Sequence, residues 1–145
     1  MVRQRRVGGW LLLTMAVAGA LWYLRDPAWL ADQTTGLHPW QPAANGTRYR
    51  WSGRHASFFV TSDATRIVVP VATTFDTPAD RPMMVTFSVD DGRAARVLLT
   101  NASWTAVALD MPPRGSRRVR RIDVRTNVTR DDNHGVMIGE VAVSR

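Results

Sequence analysis

From Thr47 onward the side chains alternate between apolar and polar with a period of two. Only an extended strand turns successive side chains to opposite faces, so strands are predicted wherever this spacing holds. It is clearest in MMVTFSVD, where Met83, Val85, Phe87 and Val89 oppose Met84, Thr86 and Ser88. Asp91-Gly92 follows where a hairpin needs residues tolerant of left-handed backbone, and AARVLLT forms the returning strand.

The same alternation runs through TRYRW, HASFFV, TRIVVPVA, SWTAVALD, RRVRRIDVRT and HGVMIGEVAVS. In HASFFV it puts Ala56, Phe58 and Val60 on one face, and in TRIVVPVA it groups Ile67, Val69 and Val71. Pro70 cannot donate to a ladder and marks an edge or a bulge. About eight or nine short strands separated by Gly, Pro, Asn and Asp clusters, with no 3.6-period stripe among them, predict an all-β antiparallel sandwich. A chain of 145 residues holds one such domain plus a short appendage.

That appendage is N-terminal. VGGWLLLTMAVAGALWYL, Val7 to Leu24, is 18 residues without a charge. As a helix it would reach about 27 Å, close to the roughly 30 Å hydrocarbon core of a bilayer. Arg3, Arg5 and Arg6 precede it and Arg25 follows, with Trp10, Trp22 and Tyr23 near its ends. Under the positive-inside bias this predicts a single pass through a bacterial inner membrane, N-terminus cytoplasmic and the remainder periplasmic or extracellular. Ala16-Val17-Ala18 and Ala18-Gly19-Ala20 also fit signal-peptidase sites, but apolar residues continue past both, which favours an uncleaved anchor. The expected organisation is a basic terminus over residues 1–6, the span over 7–24, a Pro- and Gly-bearing linker over 25–35 and the sandwich over 36–145.

Composition narrows the chemistry. There is no cysteine, hence no disulfide scaffold, thiolate nucleophile or Cys-ligated metal. There is no lysine either, so all 19 basic residues are arginine, whose planar fork suits bidentate recognition. The net charge of +7 falls to about +3 once the four arginines around the apolar segment are set aside, because 15 arginines then face 12 acids. This is ordinary for a globular domain, and no nucleic-acid partner is expected. RGSRRVRR, Arg114 to Arg121, is split between two strand faces and reads as a solvated, ion-paired strand. NGT, NAS and NVT match glycosylation sequons and are read as turn sequences.

The order GLHPW, TRYRWSGRHASFFV, VTFSVDDG, SWTAVALDMP and HGVMIGEVAV resembles a bacterial family of jelly-roll sandwich domains. These are similar to carbohydrate-binding modules and are often attached to membrane glycosyltransferases and other envelope-polysaccharide proteins. The likeness covers roughly Gly36 to Ser144 and implies a jelly-roll sandwich with affinity for saccharide. The family carries an acid soon after its opening Gly-aromatic pair, where this chain has Trp40 and Gln41.

Against that background the candidate residues can be weighed. Glu140 is the only glutamate. Glycoside hydrolysis needs two carboxyl groups facing one cleft, and Asp90, Asp91, Asp131 and Asp132 all fall in turns. Glu140 is therefore read as a rim acid paired with an arginine, the RRVRRIDVR strand being one source of it, and no catalytic residue is assigned. His38, His55 and His134 lack metal-site spacing. Lectin-like sandwiches often hold a structural calcium, which brings forward Asp76, Asp80 and Asp131, but a solvated turn and no cofactor is the reading adopted. No serine lies in a nucleophile elbow. Trp51 and Trp104 sit inside strand patterns and are expected in the core, whereas Trp40, in a Pro-flanked loop, is expected at the surface. Sugar CH faces stack on indole rings while polar neighbours bind hydroxyls, which nominates Trp40, Arg50, Arg54, Asn133 and His134 as glycan-binding residues. The expected function is non-catalytic binding of an envelope glycan or saccharide intermediate by a membrane-anchored module. The rival is an assembly subunit docking onto an envelope glycosyltransferase or other membrane enzyme.

Overall fold

A computed structural model describes residues 3–43, 46–73, 82–92, 94–113, 115–130 and 133–145, with the N-terminal helix side chains given from Gly9. Asn45, Asp76, Asp80, Arg114, Asp131 and Asp132, which figured in the sequence expectations, lie outside the described residues.

Helix α1 (Arg3–Arg25) is followed by a 3-10 turn (Ala28–Asp32) and ten strands. They are β1 (Thr34–Leu37), β2 (Gln41–Pro42), β3 (Arg48–Thr61), β4 (Arg66–Ala72), β5 (Met83–Val89), β6 (Ala94–Leu99), β7 (Thr105–Asp110), β8 (Val119–Thr126), β9 (Met137–Gly139) and β10 (Ala142–Ser144). All pairings are antiparallel. One sheet runs β1-β3-β8-β5-β6, and the other joins β7, β4, β9, β10, β2 and the start of β3. The antiparallel sandwich inferred from the alternation is thus present, as a nearly closed structure.

Its closure depends on β3. TRYRW and HASFFV are not two strands but parts of one 14-residue strand that serves both sheets. Arg50 and Trp51 pair with β9, whereas His55 to Thr61 pair with β8. The strand changes sheets at Ser52-Gly53, where Ser52 is fully buried. There its Oγ accepts the Val136 N–H at 3.0 Å, its N–H donates to the Val136 carbonyl at 2.8 Å, and its carbonyl accepts the Gly135 N–H at 2.6 Å. Satisfying these backbone groups with the following segment lets the corner stay dry. Opposite the corner, β1 slips register between Thr35 and Leu37, and Gly36 takes φ +64° at the slip.

The apolar faces meet between the sheets. Ile67, Val69, Val71, Met83, Val85, Phe87, Ile122, Val124, Val136 and Ile138 have no exposed surface, and Phe58 and Val60 join them. The β5–β6 hairpin follows Asp91-Gly92 as expected, with Asp90 and Asp91 both in left-handed backbone and the Gly92 N–H donating to the Val89 carbonyl at 2.8 Å. Pro70 is not on an edge strand, since β4 has neighbours on both sides. It lies where β9 gives way to β10, and the register there gains one residue, a bulge at Glu140-Val141.

Of the two tryptophans expected in the core, only Trp51 is buried. It packs with Ala72 and Met137 in a cluster of its own. It alternates with residues that face the main core, so this cluster covers the outer face of its sheet. Trp104 is 45% exposed beside Tyr49, with ring centroids 6.4 Å apart.

The arginine run on β8 is tied into ion pairs. Arg120 is buried, and its Nη1 lies 3.0 Å from Asp90 Oδ2, while Arg121 pairs with Asp91 and, at 3.0 Å, with Asp123. The hydrogen bond to Asp123 chiefly raises the Arg121 pKa above its ordinary value.

The expected membrane span is overturned. Among the described residues no helix is long and apolar enough to cross a membrane. The charge-free part of α1, Val7 to Leu24, is 18 residues, about 27 Å against the roughly 30 Å of a hydrocarbon core. Gly9, Gly19 and Thr14 dilute its apolar surface further, Thr14 Oγ1 donating back to the Trp10 carbonyl at 2.8 Å. The inner-membrane placement built on Arg3, Arg5, Arg6, Trp10, Trp22, Tyr23 and Arg25 goes with it. The helix stops because Asp26 precedes Pro27, and a residue before proline is pushed out of helical backbone. Asp26 is itself buried, and its Oδ2 accepts the Arg118 N–H, fixing the end of α1 to the sandwich.

Candidate functional site

The seam where the two sheets fail to close is an open groove of about 670 Å³, within the range of roughly 300–1,000 Å³ usual for ligand sites. Phe59, Val60 and Thr61 of β3 line one side, and Val141, Val143 and Arg145 at the C-terminal end line the other. Asp32, Trp40, Arg48, Arg50 and Glu140 supply its polar and aromatic surface.

Strand register places the central pair. Gln41 of β2 faces Tyr49 of β3, so Trp40, one residue earlier, stands across from Arg50. The Arg50 guanidinium lies 4.5 Å from the Trp40 ring centre and that of Arg48 lies 5.4 Å away, both within cation–π range. Trp40 remains 40% exposed, as expected of a surface aromatic.

The two arginines differ electrostatically. Arg48 is paired with Glu140, its Nη2 2.7 Å and Nε 2.9 Å from Oε1. The β3–β9 register, with Tyr49 opposite Gly139, puts Glu140 across from Arg48, so its partner is Arg48 and not an arginine on β8. Arg145 also has an acid, Asp63, at 3.2 Å. Among the described residues Arg50 has no carboxylate partner, and its Nε is buried without any hydrogen-bond acceptor. Burial pushes the Arg50 pKa below its ordinary value, although a guanidinium remains charged at neutral pH.

Because both members of the Arg48–Glu140 pair are more than half exposed, water screens their attraction. Glu140→Gln is therefore expected to lower stability by less than about 1 kcal/mol. Equilibrium denaturation checks this, and a loss of several kcal/mol would show the pair to be structural.

The five residues nominated from sequence are divided by the fold. Trp40 and Arg50 meet in the groove. Arg54 is exposed past the corner and does not line it. His134 lies with Trp51 at 5.1 Å and stacks on His38 at 4.4 Å, and Asn133 approaches Gly53 at the corner. Alternation along β3 points Trp51 and Arg50 to opposite faces, so the His38–His134 stack is a separate feature. No group of three metal-ligating side chains occurs among the described residues. Arg48 also lines the groove, on the same face of β3 as Arg50, whereas Asp32 lines it without having given any sequence signal.

No family model matches the chain, and no curated protein matches it. Several solved structures are similar to it in part. A family two carbohydrate esterase from Cellvibrio japonicus matches with a TM-score of 0.49 at 9% identity, over 77% of this chain and 31% of the esterase. The exo-β-1,3-galactanase from Phanerochaete chrysosporium matches with a TM-score of 0.47 at 13% identity, over 79% and 28% of the two chains. A CBM4 structure matches with a TM-score of 0.42 at 14% identity, over 74% and 77%. The chain thus spans about a third of the esterase and less of the galactanase. Likeness at this level concerns backbone arrangement, and the chemistry of the groove rests on its own residues.

Proposed function

We propose that this protein is a non-catalytic saccharide-binding β-sandwich module whose binding surface is the seam groove, with Trp40 as its platform. The observation that carries this reading is the half-open Trp40 ring braced by Arg50 from the facing strand. The indole offers a flat apolar face to sugar CH groups, and bracing reduces the ordering needed on binding. Guanidinium N–H groups beside it donate to ring hydroxyls, and the Asp32 and Glu140 carboxylates accept from them. The groove is open, as a site for part of a longer glycan needs to be.

Titration of the full chain against a panel of neutral and acidic oligosaccharides tests the reading. Trp40→Ala is expected to weaken binding at least tenfold, equivalent to about 1.4 kcal/mol, with the melting temperature nearly unchanged. Undiminished binding by the variant, or no saccharide binding by the natural chain, counts against it.

A second reading, an assembly subunit docking onto an envelope glycosyltransferase, draws on α1. Trp10, Leu12 and Leu21 each expose more than 60% of their surface, and the sandwich leaves them uncovered. Co-purification with such an enzyme that is lost when α1 is made polar, while saccharide titration is unaffected, would favour this reading.

A further inference from the structure

We infer that the groove selects an acidic saccharide, with Arg50 receiving its carboxylate beside the Trp40 ring; this rests on the saccharide-binding reading above.

The argument is one of pairing. Of the three arginines lining the groove, Arg48 is held by Glu140 and Arg145 by Asp63. Among the described residues Arg50 alone of these has no anion, yet it is the one that is half-buried, with its Nε left without an acceptor. An unpaired charge in such surroundings is costly, and a carboxylate arriving from a ligand supplies both charge and acceptors. The walls near it include Phe59, Val60, Val141 and Val143, whose low polarity strengthens a charge-assisted bond over the same bond in water. Arginine also suits the geometry, because its planar fork meets both oxygens of one carboxylate. The stack on Trp40 keeps the fork oriented before a ligand arrives. Glu140 and Asp32 sharpen the choice of site. Glu140 already neutralises Arg48, and a ligand anion placed near either acid would be repelled, leaving Arg50 as the receptor.

A matched pair of probes tests this. Cello-oligosaccharides and β-1,4-linked oligoglucuronates of equal length differ only in oxidation at C6. The full chain is titrated calorimetrically with each at low and high salt. The expected result is at least tenfold tighter binding of the oligoglucuronate, a preference that shrinks with added salt. Arg50→Gln should abolish the preference, weakening the oligoglucuronate far more than the neutral probe, and Arg50→Lys should restore it only in part. Equal binding of both probes, or a preference that survives Arg50→Gln, overturns the inference and leaves the saccharide-binding reading standing. Binding of neither probe, nor of any other oligosaccharide in the panel, overturns both. Melting temperatures of the variants identify any loss that comes from misfolding.

Discussion

Gly36→Ala is expected to destabilise the sandwich by at least about 3 kcal/mol, a large share of the roughly 5–15 kcal/mol that holds a domain together. Two penalties combine. Gly36 has φ +64°, where a Cβ costs about 1–2 kcal/mol. A Cβ built there would also lie 2.0 Å from the His55 carbonyl oxygen and 3.1 Å from the Ala56 Cα. Both neighbours are backbone of β3, close to where that strand passes from one sheet to the other, so no side-chain rotation relieves the collision. Gly46→Ala is the matched control. Its φ is +80°, but nothing lies within 4 Å, and only the conformational penalty of about 1–2 kcal/mol applies. Denaturant unfolding of the two variants separates the effects, and equal losses would show that the close approach of β1 to the corner does not matter.

Phe87→Ala is expected to cost about 3–5 kcal/mol, since it removes a large buried side chain and leaves a cavity. Phe87 has no exposed surface and lies on β5, between Ala95 of β6 and Val124 of β8. Neighbouring strands hold their positions through backbone ladders, which limits collapse into the void. Leu98→Ala on β6 is the contrast. Leu98 is 60% exposed, so its loss should change stability by about 0.5 kcal/mol or less. Thermal and chemical denaturation check both, and similar losses at the two positions would mean that the core does not lie between the sheets.

Most of the strands and their buried faces could be read from the chain. Met83, Val85, Phe87 and Val89 were placed on one face by alternation, and all are buried. The same holds for Ile67, Val69 and Val71, and for Ala56, Phe58 and Val60. The membrane-spanning reading of the N-terminal segment failed, because absence of charge indicates a helix with apolar surface but does not guarantee length and apolarity sufficient to span. Trp51 is buried as read, but Trp104 was misplaced for a related reason. A period of two says that two faces differ, but a tryptophan on the outer face of a sheet keeps the same phase as one in a core. HGVMIGEVAVS was read as one strand, since a bulge adds a residue without any distinctive composition.

The site was less legible than the fold. Of the nominated residues Trp40 and Arg50 come together in the groove, while Asn133 and His134 lie apart from it. Local patterning and turn chemistry settled that this chain would make short antiparallel strands, which side chains those strands would bury, and that thiol and lysine chemistry would play no part. Those properties depend on spacing and residue type. Only the tertiary structure decided that β3 would serve both sheets, that Glu140 would neutralise Arg48, and that Arg50 would be left against Trp40 without an anion among the described residues. Each of those outcomes depends on register between segments far apart in the chain, and register is set by closure of the whole sandwich.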